Sequence, residues 1–305
     1  MGPYFYRHSG CLVQSELEMP EWHGFAVEGC ASAEADIIIR IDSAIEPTDS
    51  PDHEPVVDGN SLRFSVPDVG TWRISNGSQI AINPVAGRDC IEVRLFTLGS
   101  AWGALGYQRG WPMLHGSAVL GPTGAVLFCG PQEAGKSTMA AAMSERGAPL
   151  VGDDLSRAEP GRVDRPARLY PSSTRHKLWR EAIDQLGFGQ RERVQDYFRA
   201  EKYHLESAFH VPTDLSVPLV GIYALSFGDR LEIEPLSGAE AAKTVLSETI
   251  YRPYFLEAMG LLTEQAVHAA RIAASVPVFR LKRPRDLTQV DAVCARLREH
   301  LLETA

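Results

Sequence analysis

GAVLFCGPQEAGKSTMAAAMSERGAPLVGDD, residues 124–154, reads as strand, loop, helix and strand in succession. GAVLFC (124–129) is an apolar run of the length a buried strand needs. GPQEAG follows as a loop bounded by glycines, and KSTMAAAMSER (136–146) is a run of strong helix formers that Gly147 stops. APLVG then starts a second short apolar strand, which delivers Asp153 and Asp154 at its C-terminal end, where open α/β sheets bind their ligands. The fold class expected from this stretch is α/β.

Within it, GPQEAGKS matches the pattern G-x-x-x-x-G-K-[ST]. That pattern works by wrapping backbone N–H groups around phosphate oxygens, with a lysine on the β/γ-phosphates and a hydroxyl on Mg²⁺. The candidate nucleotide-binding set is therefore Gly130, Pro131, Gln132, Glu133, Ala134, Gly135, Lys136, Ser137 and Thr138, with ATP and Mg²⁺ as the cofactors. The start of the following helix adds partial positive charge. Two adjacent carboxylates on a strand point in different directions, so one of Asp153 and Asp154 can face Mg²⁺ while the other reaches an incoming hydroxyl. Upstream, His115 in MLHGSAV belongs to a strand that pairs with or precedes 124–129, and Gly116 beside it permits close backbone approach. A neutral imidazole there binds metal and a charged one stabilises phosphoryl oxygens; the simpler reading is a hydrogen-bonded histidine.

LHG (114–116), GPQEAGKST (130–138), ERG (145–147) and LVGDD (150–154), taken in order, resemble the HPr kinase/phosphorylase family and its phosphoenolpyruvate-carboxykinase-like nucleotide fold. The resemblance implies a P-loop catalytic domain, placed over 98–305, and the strand-like pattern of the first hundred residues puts a smaller β-rich domain over 1–97 before it. It implies Asp153 as the base acting on the acceptor hydroxyl, Asp154 and Ser137 as Mg²⁺ ligands and Lys136 as the phosphate clamp, with an exchange of the two aspartates left open. Family members carry a second inner glycine in the loop and a glutamate after its lysine-serine, where this chain has Glu133-Ala134 and Thr138. YRP (251–253) and the segment Val276 to Pro284 look closer to shorter relatives, some of which resemble kinases of lasso-peptide precursors. The implied activity is ATP-dependent phosphorylation of a peptide serine, commonly C-terminal. A carrier-protein kinase/phosphorylase, a small-molecule kinase and a non-catalytic nucleotide sensor are the alternatives.

Arg252, between a tyrosine and a proline, is a candidate to bind the transferring phosphoryl group bidentately, and Arg280 and Arg283 are similar. Lys202-Tyr203-His204 lies in a polar stretch that reads as a solvated segment or a substrate loop. Strands are expected over 36–41, 61–66, 71–75 and 79–83, with an exposed loop from Glu46 to Asn60. EVRLF (92–96) reads as a last strand, followed by a packed helix ending at Gly110. Downstream, Ser237 and Glu240 suggest a capping box for a helix to about Ile250, and a further helix is expected over 255–274. Val290, Val293, Leu297 and Leu301 form an apolar stripe that docks a last helix on the core.

With Lys+Arg 30 against Asp+Glu 39, charge alone recruits no nucleic acid. No apolar run approaches the length of a membrane span, and no basic-then-apolar export signal opens the chain, so the expected location is cytoplasmic with no membrane partner. Five scattered cysteines without a CxxC pair read as reduced thiols, and homo-oligomerisation stays open.

Overall fold

The computed structural model describes residues 2–30, 35–48, 54–87, 89–162, 164–196 and 199–304. Part of the expected loop 46–60 lies outside these residues. Strand Ala125–Cys129 is buried along its whole length, as an apolar run without alternation requires. The helix that follows the loop, Lys136–Glu145, buries Met139 to Ser144. Its alanines let it lie close to the sheet, and Gly147 at φ 89° ends it.

Around Ala125–Cys129 a seven-stranded mixed sheet is built. On one side lie Met113–Leu120 and then Leu150–Glu159, each antiparallel to the strand before it. On the other lie Val217–Phe227 and Val278–Arg283, both parallel, and Glu232–Leu236 as an antiparallel edge. The two-residue strand Arg168–Leu169 bonds to both Leu150–Glu159 and Val217–Phe227, which closes five strands into a ring at one end. The C-terminal helix Val290–Glu303 buries Val293, Leu297 and Leu301 against Met139 and Met143 of the loop helix, as its stripe predicts.

The N-terminal residues form a second seven-stranded sheet, in the spatial order Tyr4–His8, Cys11–Ser15, Ile37–Ile41, Gln79–Pro84, Gly70–Ser75, Ser61–Val66 and Val56–Asp58. Its inner face packs Trp72, Phe64 and Ile80 against Trp102 and Tyr107, and against Phe255 from the far end of the chain. A small third sheet consists of Arg175–Trp179, Lys202–Glu206 and Val194–Gln195.

Four expectations need correction. EVRLF is helical, within Ile91–Phe96, and continues through a π-turn, Thr97–Ala101, into the helix Trp102–Gln108. Charged Glu92 and Arg94 alternate with apolar neighbours and mimic a strand, but Val93 and Thr97, four apart, are the buried pair. The Thr97 hydroxyl donates to the Val93 carbonyl (2.7 Å) and accepts from the Trp72 indole (2.9 Å). Second, Asp153 and Asp154 lie inside the ten-residue strand Leu150–Glu159 and not at its end, because Leu155 to Arg157 continue the pairing against His115 to Met113. Third, the capping box does not form: Ser237 makes no side-chain cap to the helix Gly238–Thr249, and Glu240 accepts instead from Arg280 (2.6 Å). Fourth, 255–274 is two helices, Pro253–Met259 and Leu262–Ser275, broken at Gly260 with φ 69°.

No described helix is long and apolar enough to cross a membrane. The cysteines are all free thiols.

Candidate active site

The loop Gly130–Gly135 owes its path to backbone conformations that most residues avoid. Gly130 has φ 129°, Glu133 65° and Gly135 87°. A side chain on Gly130 would meet the Leu225 carbonyl at 2.9 Å, and one on Gly135 would collide with the Arg283 guanidinium. Arg283 is buried and donates to the Ala134 carbonyl (2.9 Å), so it holds the loop from below. Lys136 turns back over the same loop and donates to the carbonyls of Gly130 (2.8 Å) and Pro131 (3.2 Å). At the loop's start, Glu248 accepts from the Gly130 N–H, and burial pushes its carboxyl up from the ordinary range.

Gln132, Glu133, Gly135, Lys136, Ser137 and Thr138 line one wall of a cleft of about 730 Å³. Pro131 contributes its carbonyl to Lys136, while Ala134 is packed inward.

The two aspartates have different neighbours. Asp153 is 5% exposed, and its carboxylate accepts three hydrogen bonds: from the hydroxyls of Ser117 (2.5 Å) and Ser137 (2.8 Å), and from the Lys177 N–H (2.6 Å). Asp154 has φ 91°, which departs from regular strand geometry and lets two consecutive carboxylates both line the cleft. Its carboxylate faces the Lys177 ammonium (2.6 Å) and His115 Nε2 (3.4 Å), with the side chain 36% exposed. Burial alone would raise its pKa, but Lys177 and His115 outweigh burial and hold the carboxyl well below the usual range. The same pairing overcomes burial at Lys177 and drives its ammonium above the usual lysine range. One residue of the third sheet thus engages both aspartates, one through its backbone and one through its side chain.

His115 is held where its strand runs beside the loop strand. Gly116 makes this possible, since a Cβ there would meet the Phe128 carbonyl at 2.5 Å. The imidazole packs edge-on to Tyr251 (5.7 Å between ring centres). Arg252 lies over the same tyrosine (5.0 Å), lines the cleft, and keeps a buried Nε without a partner.

The structure therefore brings His115, Lys136, Ser137, Asp153, Asp154 and Arg252 to one cleft, with Arg283 beneath the loop. Arg280 is elsewhere, paired with Glu234 and Glu240 at the sheet edge. Lys202-Tyr203-His204 is a strand, not a solvated loop: Lys202 and His204 face the cleft and Tyr203 is buried behind them. Sequence reasoning missed Lys177, Glu248 and Tyr251. Lys177 has no motif around it, but the alternation in RHKLW (175–179), with His176 and Leu178 buried, was a usable strand signal.

Ser137 and Asp153 offer hard oxygen ligands side by side, which suits Mg²⁺. Lys136 and the left-handed loop suit the phosphates that such a cation accompanies. The residues present fit both groups.

No protein-family model matches the chain, and no curated protein matches it. Among solved structures, the chain is similar to the HPr(Ser) kinase/phosphatase from Coxiella burnetii, with 11% identity, a TM-score of 0.32, and coverage of 63% of this chain and 97% of that one. What the molecule does must be read from the cleft itself.

Proposed function

We propose that this chain is an ATP- and Mg²⁺-dependent kinase that phosphorylates a hydroxyl, with a peptide serine, as in lasso-peptide precursors, as the acceptor. The observation that carries the reading is the division of labour in the aspartate pair: Asp153 is bound to the loop hydroxyl of Ser137, while Asp154 is turned to the open cleft. When bound, ATP supplies the phosphoryl group, and Mg²⁺ offsets the charge of its phosphates.

Lys136 exchanges its two loop carbonyls for phosphate oxygens. Asp153 and Ser137 would hold the metal, with Ser117 and the Lys177 N–H fixing the Asp153 carboxylate in place. Asp154 accepts the hydrogen bond of the acceptor hydroxyl. With its pKa held low by Lys177, it is a weak base, so its main work is to aim the hydroxyl, and the proton moves late. Lys177 and Arg252 stand ready to bind phosphoryl oxygens. This exchanges the two aspartate roles implied by the family resemblance, and it does so on the Ser137 contact.

The test is incubation with Mg-ATP and a panel of serine-ending peptides, read as a mass gain of roughly 80 Da. Nucleotide binding without modification of any acceptor would sink the kinase reading.

A further inference from the structure

The acceptor sets the direction in which a bound nucleotide must lie. In an in-line transfer the leaving oxygen stands opposite the attacking one, so the rest of the nucleotide extends away from the hydroxyl. Asp154, which takes that hydroxyl, is on Leu150–Glu159, two strands to one side of Ala125–Cys129. On the other side run Val217–Phe227 and Val278–Arg283, each continuing the parallel pairing that begins at the loop strand. The carboxyl ends of such strands are where α/β sheets bind their ligands.

Phe227 stands at that end. Just before it, the Leu225 carbonyl lies against Gly130, and the residue beside Phe227 in the register is Arg283, whose guanidinium occupies the space a side chain on Gly135 would need. The ring is therefore next to the phosphate loop. It is 42% exposed and lines the same cleft as Gly135 and Thr138. An aromatic face left this open within a cleft forgoes burial that a planar ligand would restore. Two guanidinium groups lie over it, Arg283 at 4.9 Å and Arg285 at 5.4 Å from its centre. Arg283 is committed to the carbonyls of Ala134 (2.9 Å) and Pro284 (3.3 Å). Arg285 is exposed and lines the cleft, and the acid that follows it, Asp286, is turned to Thr288 and Gln289.

We infer that Phe227 and Arg285 form the subsite for the base of the nucleotide: a purine ring stacks on the open part of the phenyl ring, and the planar guanidinium of Arg285 borders it. The inference rests on the kinase reading and adds what the phosphate loop does not supply, a hold on the part of ATP that takes no part in the chemistry. An aromatic side chain of the acceptor would have to pass the phosphates from Asp154 to reach this corner, so the base is the occupant.

The test uses the full chain with Mg²⁺ and two probes titrated by calorimetry: a non-hydrolysable ATP analogue, and inorganic tripolyphosphate, which presents phosphates without a nucleoside. The parent protein should bind the analogue at least about tenfold more tightly than tripolyphosphate. Phe227→Ala should weaken the analogue by about tenfold to a hundredfold, the range for losing one stacked base, and leave tripolyphosphate within about twofold. Retained tripolyphosphate binding also shows that the loop is intact, so misfolding cannot imitate the result. Phe227→Trp should keep the analogue within about threefold, and Arg285→Met should cost it about threefold to tenfold. Equal weakening of both probes by Phe227→Ala overturns the subsite, because the ring then only supports the loop; analogue binding that Phe227→Ala leaves intact overturns it too. Transfer from ATP to a peptide by a parent protein that binds both probes equally would sink the subsite and keep the kinase. Analogue binding that depends on Phe227, with no phosphoryl transfer to any acceptor, would sink the kinase reading and leave the subsite standing, so the two fail separately.

Discussion

The two walls of the cleft are stabilised in different ways. On the loop wall the polar groups are closed into hydrogen bonds: Asp153 accepts three, Lys136 donates two, and Arg283 ties the Ala134 carbonyl from beneath. On the opposite wall the dominant contacts are ion pairs, of Asp154 with Lys177 and of Arg175 with Glu206. A hydrogen-bonded wall holds one geometry, which positioning a phosphoryl group demands. A wall of partly exposed charges rearranges at little cost when a ligand arrives. The difference suggests that one side is set for a constant ligand and the other waits for a variable one.

The sharpest way to break this contrast is to remove each aspartate's charge in turn. Asp154→Asn should lower kcat by about 10²–10⁴-fold with nucleotide binding retained. Asp153→Asn should weaken the Mg²⁺ dependence of ATP binding, because the metal-side carboxylate is gone while an amide oxygen can still accept from the Lys177 N–H. Titrations of MgATP against both variants decide the matter. The reverse pattern would return the roles to those implied by the family resemblance.

Lys177→Met is the next largest effect. It strands a partly buried carboxylate, so transfer should fall about a hundredfold. Without Lys177, His115 alone would oppose burial and the Asp154 pKa would rise. The rate should then acquire an acid limb at a higher pH than in the parent protein, visible in a kcat profile between pH 4 and pH 8.

Stability offers a further comparison, between the cleft and the N-terminal sheet. His8 is buried against Trp22 and Trp102, and burial lowers its pKa to about 4 from 6.5. The unfolded chain takes up the proton first, so folded stability should fall as pH drops from 6.5 to about 4, by on the order of 3 kcal/mol in all. Asp154 has the opposite shift. Its contribution is present above the unfolded value, near 4, and is lost only as the pH falls further, through its depressed folded value. The pH slope of the denaturant midpoint between pH 4 and pH 7 should therefore flatten in His8→Phe and stay as it is in Asp154→Asn, which lowers the midpoint by a similar amount throughout. The smallest effect belongs to Arg280→Gln. Its pairs with Glu234 and Glu240 lie at an exposed edge, so the loss should be under about 1 kcal/mol, with unchanged transfer.

How much of this was legible in the chain follows the same division. The loop wall comes from 130–138 and the strand immediately after its helix, so motif, helix stop and aspartates were all readable in one short stretch. Only the extent of the strand was misjudged, because Ser156 and Arg157 look like the beginning of a loop while they pair with Leu114 and Met113. The opposite wall is assembled from residues far apart: 115, 175–179, 199–204 and 251–252. No local pattern announces that Lys177 meets Asp154. KYHLE (202–206) held a weak signal, since Tyr203 and Leu205 are buried while Lys202 and His204 turn to the cleft; its charges masked that alternation. The helix at 91–96 was misread for the same reason, with charge imposing a false period of two on a segment whose burial repeats every four.

Tyr107 carries one last consequence. Its hydroxyl donates to the Thr249 carbonyl (2.9 Å) and accepts from the Tyr251 N–H (2.8 Å), while its ring is sealed in the core beneath the N-terminal sheet. The turn that presents Tyr251 and Arg252 to the cleft is therefore bolted to the helix on which that sheet rests. A chain cut between 97 and 98 would not yield a smaller working unit: it would divide the helical run from Ile91 to Gln108 and leave Trp102, Tyr107 and Phe255 with bare faces. Anyone seeking to graft this cleft onto another scaffold must carry the N-terminal sheet along with it.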